Sequence, residues 1–486
     1  MTKLHKKSLI FLAICFCVWC LVPLLRQSLP LDTQEAIIWG RYCLWGTPKH
    51  PPLSGWVANG FYRLWGQWDG SMYVLSQVCV VLGLFGIYRL ARLFLKPVQA
   101  LLATAFQMGI IYYHFAAVEF NVNVLSLALW PWTAFVFWRA WRQDRWADWI
   151  LFGIMMGVNV LNKYVGSVLG LALGCFVLIC PEARRILKNP KAYISALVGG
   201  ICLLLHLGWL YQNDFEMWKY IASRNTTGKM TSGLRHIVYP VKFLAAQILF
   251  ALPAGLTFFL MSRKAPRAEQ KIDRADRLFL LCLGIVPTAF WMVSALISGK
   301  ALKDMWNFPS LFAWGIIALY FLPRLWDMRR AGRFLTLMFG WSLLFAVGYA
   351  VQCLVSPSER FQSNCPQLVR QLLADYRQKT GENMPAYVGG TIWFSDMVAL
   401  YAPGEVKPMI WMNPRVNPWF DRQDFEAHQT LVVAENEGEY QAYRNELGTA
   451  LSEPERVEVT YRSLLGKEKQ KPFFWGVYQK EQGYEK

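Results

Sequence analysis

Acidic residues are scarce in this chain, and charged residues of both signs are few. Only 17% of the 486 residues are charged, with 32 Asp and Glu against 50 Lys and Arg, whereas 55% are hydrophobic. This apolar share exceeds that of an ordinary soluble protein and indicates a chain that lies in a membrane. The net charge of +18 does not indicate nucleic-acid binding, because most basic residues fall in short segments between apolar runs. Such segments set membrane topology and contact anionic lipid head groups.

Motifs for nucleotide and hydrolytic chemistry are absent as well. The sequence contains no P-loop, G-x-G-x-x-G, G-x-S-x-G or H-E-x-x-H, so nucleotide-driven and hydrolytic mechanisms have no support. The eleven Cys form no cluster with His at metal-ligand spacing, and several lie inside apolar runs, where small buried thiols are expected. We therefore expect no zinc site and predict no cofactor, with a divalent cation left as an alternative.

Apolar runs, most of them near the 20 residues that cross a bilayer as a helix, recur along the first 355 residues. If successive runs cross the membrane in alternate directions, every strongly basic loop lies on the same side. This is expected because Lys and Arg are enriched in cytoplasmic loops. The fold class is an α-helical polytopic membrane protein with about eleven transmembrane helices and a cytoplasmic N-terminus. No signal-peptidase site follows the first run, which we interpret as an uncleaved helix. The predicted spans are 8–25, 71–93, 98–118, 122–140, 147–161, 165–180, 192–211, 240–261, 277–298, 308–322 and 333–355.

The rest of the chain is more polar and is punctuated by Pro and Gly. It contains a helical pattern, "CPQLVRQLLADYRQK", and three β-like runs, "MPAYVGG", "TLVVAEN" and "FFWGVYQ". We predict a transmembrane domain over 1–356, with a first outer loop at about 26–70, and a small α/β periplasmic domain over 357–486. Cys353 and Cys365 could form a disulfide there, or Cys353 could be the buried end of the last helix.

Two acids stand directly after the first apolar run, in "LDTQEAIIWGRYCLWGTPKHPPLSGW". Asp32 and Glu35 are three residues apart, so both would point to one side of a helix. Two such carboxylates can perform acid–base chemistry, hold a cation or bind sugar hydroxyls. The same spacing also fits a capping box with Asp32 as the N-cap. Spacing alone leaves these alternatives open, and two carboxylates are too few ligands to predict a divalent cation.

Other isolated polar residues fall on the same predicted outer side. The Pro-Pro pair at 51–52 restrains the residues before it, and a charge at position 163 is costly unless it reaches water or has a partner, for which an anionic ligand is suitable. The alternatives are interfacial lysines that reach water and amides that satisfy helix ends. The candidate binding residues, besides Glu35, are Lys49, His50, Glu119, Asn121, Asn123, Lys163, Tyr164, Lys300 and Lys303.

Three short motifs occur in the order found in a known enzyme group. "DTQE", followed sixteen residues after Glu35 by "PPLSGW", matches an acidic-then-PPL-x-x-W pattern, "FNVN" an F-N-x-N segment and "LNKY" an x-G-K-Y element. This order resembles the family 39-like bacterial group of the glycosyltransferase C superfamily, akin to aminoarabinose lipid A transferases and protein O-mannosyltransferases. The resemblance covers about 8–320. Many relatives have adjacent Asp and Glu, and the aminoarabinose transferases have Lys directly before Pro, where this chain has His50.

The resemblance implies transfer of a sugar from a polyprenyl-phosphate carrier to an envelope acceptor, lipid A or another glycolipid, at the periplasmic face of the bacterial inner membrane. Asp32 would be the catalytic carboxylate of an inverting reaction. His50, Lys163, Lys300 and Lys303 would stabilise the phosphate, and Glu119, Asn121 and Asn123 would bind sugar or acceptor. A protein acceptor and a transporter of lipid-linked saccharides are the alternatives; the latter favours broken helices and charges near the bilayer midplane.

Overall fold

The computed structural model describes residues 3–224, 230, 232–263, 265–266, 273–357 and 364–479. The chain divides into two compact units, each assembled from separate stretches of sequence. The helical unit contains Met1–Val22, Lys49–Ser54 and Tyr73–Tyr349, and the mixed unit contains Pro23–Pro48, Gly55–Met72 and Ala350–Lys486. The domain boundary at 356–357 stays a prediction, and most of the predicted first outer loop groups with the mixed unit.

Fourteen α-helices are described along the first 355 residues. They are α1 Lys3–Leu21, α2 Leu31–Arg41, α3 Leu53–Leu64, α4 Gly70–Ala91, α5 Pro97–Ala105, α6 Val122–Gln143, α7 Trp146–Asn162, α8 Gly166–Ile179, α9 Pro190–Gln212, α10 Glu216–Arg224, α11 Arg235–Arg263, α12 Arg274–Ser298, α13 Trp314–Phe321 and α14 Met328–Val355. Short 3₁₀ helices join several of them, among them Ala183–Lys188 and Phe308–Ala313. Each of the eleven apolar runs predicted as spans is therefore helical over most of its length.

Within the described residues, six helices are long and apolar enough to cross a membrane: α1 with its following turn, α4, α9, α11, α12 and α14. A seventh span results if Pro97–Gly109 and Ile111–Val118, which bend by 83°, are one crossing. The predicted span at 98–118 is therefore bent, and the count of eleven is not reached by this measure. Helix α8 has 14 residues, or about 21 Å, which is shorter than the hydrocarbon core of about 30 Å.

The C-terminal part of the mixed unit is a small α/β fold, as predicted. Its strands are β1 Tyr387–Gly390, β2 Lys407–Ile410, β3 Thr430–Ala434, β4 Glu455–Arg462 and β5 Glu468–Tyr478, and its helices are α15 Cys365–Thr380, α16 Ile392–Tyr401, α17 Arg422–Ala427 and α18 Glu437–Leu447. The sheet order is β2-β1-β3-β5-β4. Strand β1 pairs in parallel with β2 and β3, and β5 is antiparallel to β3 and β4.

The period-two alternation of the strands builds a separate core on each face of this sheet. Leu431 and Val433 of β3 pack in one cluster with side chains of α15 and α16. Val432 and Ala434, one residue out of step, pack in the other cluster with Tyr440 of α18. Helices α15 and α16 therefore cover one face of the sheet, and their buried side chains hold α16 in place there.

Candidate active site

Helix α2 carries both acids of the first outer loop and begins one residue before Asp32. Its N-cap is Pro30, in extended conformation, and no side chain caps it. The capping-box interpretation of Asp32 is therefore wrong. Asp32 instead lies in the first turn, where the exposed backbone N–H groups favour a negative charge. Asp32 is half-buried, whereas Glu35 is only 4% exposed.

Gly55 and Trp56, the last two residues of the PPL-x-x-W motif, contact the end of α2 and the residues after it. A Cβ atom on Gly40 would lie 1.9 Å from the carbonyl oxygen of Gly55, so the two backbones meet where neither residue has a side chain. The amide of Asn59 donates to the Gly40 carbonyl at 3.2 Å. The indole of Trp56 donates to the Leu44 carbonyl at 3.0 Å. These bonds fix the C-terminal end of α2.

The other side of α2 packs against α16 of the mixed unit. The guanidinium of Arg41 donates to the carbonyl of Ala399 at 3.1 Å. The ring of Tyr42, which follows α2, stacks on Trp419 with centroids 4.6 Å apart and planes 12° from parallel. The helix that bears Asp32 is thus held by the C-terminal α/β fold, a contact that the sequence did not indicate.

Cys365 takes part in the same packing as a thiol that forms no disulfide. Its Sγ donates to the hydroxyl of Ser28 at 3.2 Å, and the amide of Gln34 lies 3.8 Å from the sulfur. Cys353 likewise forms no disulfide and is fully buried. The disulfide between Cys353 and Cys365 is therefore wrong, and the alternative, a buried end of the last helix, fits Cys353.

A second contact joins both ends of the loop to α16, through Tyr401. The Tyr401 hydroxyl donates to Oδ2 of Asp69 at 2.8 Å and accepts the backbone N–H of Leu29 at 3.2 Å. Tyr62 donates to the other oxygen of Asp69 at 3.1 Å. Burial raises the pKa of the Asp69 carboxyl, and the two phenol hydrogen bonds oppose that rise. Sequence reasoning missed Asp69 and Tyr401 because 332 residues separate them.

In the helical unit, the structure brings two predicted site residues together at the end of α7. Lys163, which follows α7, is 9% exposed and donates from Nζ to Oδ1 of Asn123 at 2.7 Å. The amide of Asn123 reaches the sulfur of Met305 at 3.5 Å. The ammonium group is therefore held in a fixed position beside the segment that contains Lys303.

Asn121 is the N-cap of α6, since its side chain accepts the backbone N–H groups of Asn123 at 2.8 Å and Val124 at 3.4 Å. Its hydrogen-bonding capacity is thus used in part by its own helix. Asn162 also supports this helix start by donating to the Val122 carbonyl at 2.7 Å.

Tyr164 belongs to an aromatic group next to Lys163. Its hydroxyl lies 2.7 Å from Nε2 of His206, which is buried in α9, and accepts the indole N–H of Trp218 at 3.3 Å. His206 stacks on Trp209 of the same helix. His206 and Trp218 are partners that the sequence did not single out.

The remaining predicted residues occupy several short segments. Lys49 and His50 are half-buried in the irregular stretch before α3, and Glu119 is half-buried before α6. Lys303 is half-buried, whereas Lys300 is exposed, and its side chain makes no hydrogen bond or ion pair within the described part of the chain. Asp304, which sequence reasoning passed over, is half-buried, and burial raises its pKa.

No group of three or more His, Cys, Asp or Glu side chains in the described ranges is arranged to hold a metal ion. Cys17 and Cys20 have C-x-x-C spacing, but both lie within the apolar helix α1. Asp32 and Glu35 lie on the same helix, and within the described ranges no third His, Cys, Asp or Glu side chain completes a metal-binding group with them.

Comparisons with known proteins found similar sequences and similar structures. Residues 49–209 match the family model of dolichyl-phosphate-mannose-protein mannosyltransferases. The lipopolysaccharide core galacturonosyltransferase RgtB of Rhizobium johnstonii is 25% identical over 311 residues, 61% of this chain and 60% of that protein. ArnT from Cupriavidus metallidurans bound to undecaprenyl phosphate superimposes with a TM-score of 0.62 and 14% identity over 99% of both chains. The apo form of the same protein superimposes with a TM-score of 0.63 and 15% identity over 98% of both chains.

The chain resembles the family 39-like glycosyltransferases of the C superfamily. The likeness to ArnT establishes the fold, that of a multi-pass membrane protein. The family match begins at Lys49 and contains the "PPLSGW", "FNVN" and "LNKY" motifs, whereas α2 with Asp32 precedes it. The chain spans 60% of the length of RgtB.

Proposed function

We propose that this protein is an inverting glycosyltransferase that moves a sugar from a polyprenyl-phosphate carrier to an envelope glycolipid. The observation that carries the proposal is the buried ammonium of Lys163, held by Asn123, in a chain with the fold of ArnT. ArnT has been solved with undecaprenyl phosphate, and RgtB is named for lipopolysaccharide core. A fixed cation is suited to a lipid-linked phosphate.

Asp32 is the proposed catalytic carboxylate. A half-buried carboxylate in the first turn of a helix can accept the proton of an acceptor hydroxyl as that oxygen attacks the anomeric carbon. The attack forms the new glycosidic bond and breaks the bond between the sugar and the carrier phosphate, with inversion at the anomeric carbon. Glu35, buried one turn further along α2, would bind a sugar hydroxyl or orient Asp32.

The leaving phosphate requires positive charge, because negative charge grows on its oxygen as the bond breaks. Lys163, Lys303, Lys49 and His50 are the candidates, with Lys163 the best positioned of them because Asn123 fixes it. The exposed side chain of Lys300 is the weakest candidate. Glu119, Asn123 and Tyr164 are proposed to bind donor sugar or acceptor.

The proposed location is the inner membrane of a bacterium, with the N-terminus in the cytoplasm and residues 357–486 in the periplasm. The basic residues at the start of α1 and those between α8 and α9 support this orientation. The proposed partners are the lipid-linked donor, the glycolipid acceptor and the surrounding membrane lipids.

One observation favours a protein acceptor as the second candidate. The family model that matches residues 49–209 describes enzymes that mannosylate proteins. The two candidates share donor chemistry and differ only in the acceptor, so one assay separates them.

The test is transfer by the purified full chain in proteoliposomes. Undecaprenyl-phosphate donors that carry different sugars, galacturonic acid included, are offered with lipid A, lipopolysaccharide core and an unfolded protein. We expect a mass increment of one sugar on a glycolipid acceptor. An increment on the protein alone would favour the second candidate. Movement of the intact donor between leaflets with no transfer to any acceptor would instead identify a transporter and overturn the proposal.

A further inference from the structure

A groove with a volume of about 680 Å³ lies between α7, α8 and α9 of the helical unit. Its lining is almost entirely apolar, with Phe152 and Met156 of α7, Leu173 of α8 and Leu203 of α9 among its walls. Each of the three helices contributes glycines to the lining, so no side chains fill the groove at those positions. A Cβ atom added at Gly174 or Gly200 would meet no atom within 4 Å, so these positions face open space. The groove has the size and lining of a site for an apolar chain.

One end of the groove carries positive charge. Ile186 and Leu187 of the short helix Ala183–Lys188 line it, and that helix also contains Arg184, Arg185 and Lys188, all three exposed. The Nε atom of Arg184 donates to the carbonyl of Leu178, itself a lining residue, at 2.9 Å.

These three cations make no ion pair with a carboxylate within the described part of the chain, whereas the nearby Lys191 pairs with Asp144 at 2.8 Å. Arg185 instead lies over the ring of Trp141. An apolar groove thus ends at cations that are available to an anion.

The charged end lies opposite the Lys163 cluster along α7. Groove residues Trp149 and Phe152 belong to the first half of this helix, and Lys163 directly follows its last residue. Seventeen residues of α-helix extend about 25 Å. The cations of the groove and Lys163 therefore lie at opposite ends of α7. The groove is separate from the proposed donor phosphate site.

We propose that the groove binds an anionic glycerophospholipid of the bilayer, with an acyl chain between α7, α8 and α9 and the head-group phosphate on Arg184, Arg185 and Lys188. Basic pockets between transmembrane helices on the cytoplasmic side bind anionic lipid head groups in this way. The half-exposed Leu178 and Leu187 at the mouth give the chain an entry from the surrounding lipid. The inference does not depend on the proposed sugar transfer.

The test is native mass spectrometry of the purified full chain offered phosphatidylglycerol, phosphatidylcholine and undecaprenyl phosphate in competition. We expect one phosphatidylglycerol to be retained. Gly200→Leu should abolish retention by filling the groove. Gly208→Leu is the matched control, because its Cβ also meets no atom within 4 Å and it lies on the same helix outside the groove.

The role of the cations is tested with the double variant Arg184→Gln and Lys188→Gln. Each cation near an anionic head group changes affinity about fivefold, so the pair should weaken binding by roughly 30-fold. Arg329→Gln together with Arg333→Gln, in a second basic segment, is the control and should bind normally. Equal retention of phosphatidylcholine, preference for undecaprenyl phosphate, or equal retention by all variants would overturn the proposal.

Discussion

Removing the Tyr401 hydroxyl should loosen the helix that carries Asp32. Tyr401→Phe deletes the hydrogen bond to Asp69 and the acceptor for the Leu29 N–H. A hydrogen bond to a charged group contributes about 1.5–3 kcal/mol, which we reduce to about 1–2 kcal/mol because Asp69 is only half-buried. For a domain of roughly 150–250 residues this corresponds to a fall in Tm of about 2–8 °C.

The effect on catalysis follows from where the lost bonds lie. Leu29 precedes α2 by two residues and Asp69 closes the loop, so Tyr401 fixes both ends of the segment that holds Asp32. Misplacement of a catalytic group by about 1 Å can cost on the order of 100-fold in rate. We expect kcat to fall roughly 10- to 100-fold while KM for the donor changes little.

The matched control is Tyr376→Phe, which removes a hydrogen bond of 2.9 Å from a tyrosine to Glu382 in the same unit, away from the loop. It should lower Tm by a similar amount without lowering kcat. A double-mutant cycle of Tyr401→Phe with Asp69→Asn should give a coupling energy of about 1–2 kcal/mol. Equal kcat for the Tyr401 and Tyr376 variants would refute the reasoning.

Three further predictions follow from single contacts. Lys163→Met should lower kcat/KM by roughly 100- to 1,000-fold in the transfer assay, because it removes a fixed cation, and a loss no larger than that of Lys300→Met would contradict this role. Gly40→Ala should destabilise the protein by about 1–3 kcal/mol in thermal unfolding, because its Cβ would strike Gly55. Gly60→Ala, with open space around it in α3, should not destabilise the protein. Alkylation of the unfolded, unreduced protein should label both Cys353 and Cys365; a disulfide-linked peptide would show the structure to be wrong there.

Local sequence patterns predicted the helices and strands well. Apolar runs located the helical segments, and the short β-like run "TLVVAEN" located β3, because each pattern depends on residues near in sequence. The bend near 110 was not predicted. Hydropathy reports how apolar a run is and does not report whether its backbone stays straight.

The features of the candidate site that could not be predicted depend on contacts between residues far apart in sequence. Asp32 could be singled out because it lies beside a motif, but its place in the first turn depends on Pro30 being the cap. Tyr401 has no motif and gains its role only when α16 packs on α2. Lys163 and Asn123 were each predicted as binding residues, but their hydrogen bond was not predicted because they are 40 positions apart in the sequence.

The most direct test of the account is the single-turnover rate of sugar transfer by Asp32→Asn. Loss of a general base costs about 100- to 10,000-fold, and Asp375→Asn, an equal charge change on a half-buried acid of α15, should leave the rate within about twofold of wild type. We expect that loss for a folded Asp32→Asn protein whose Tm stays within a few degrees of wild type. A wild-type rate for Asp32→Asn would contradict it.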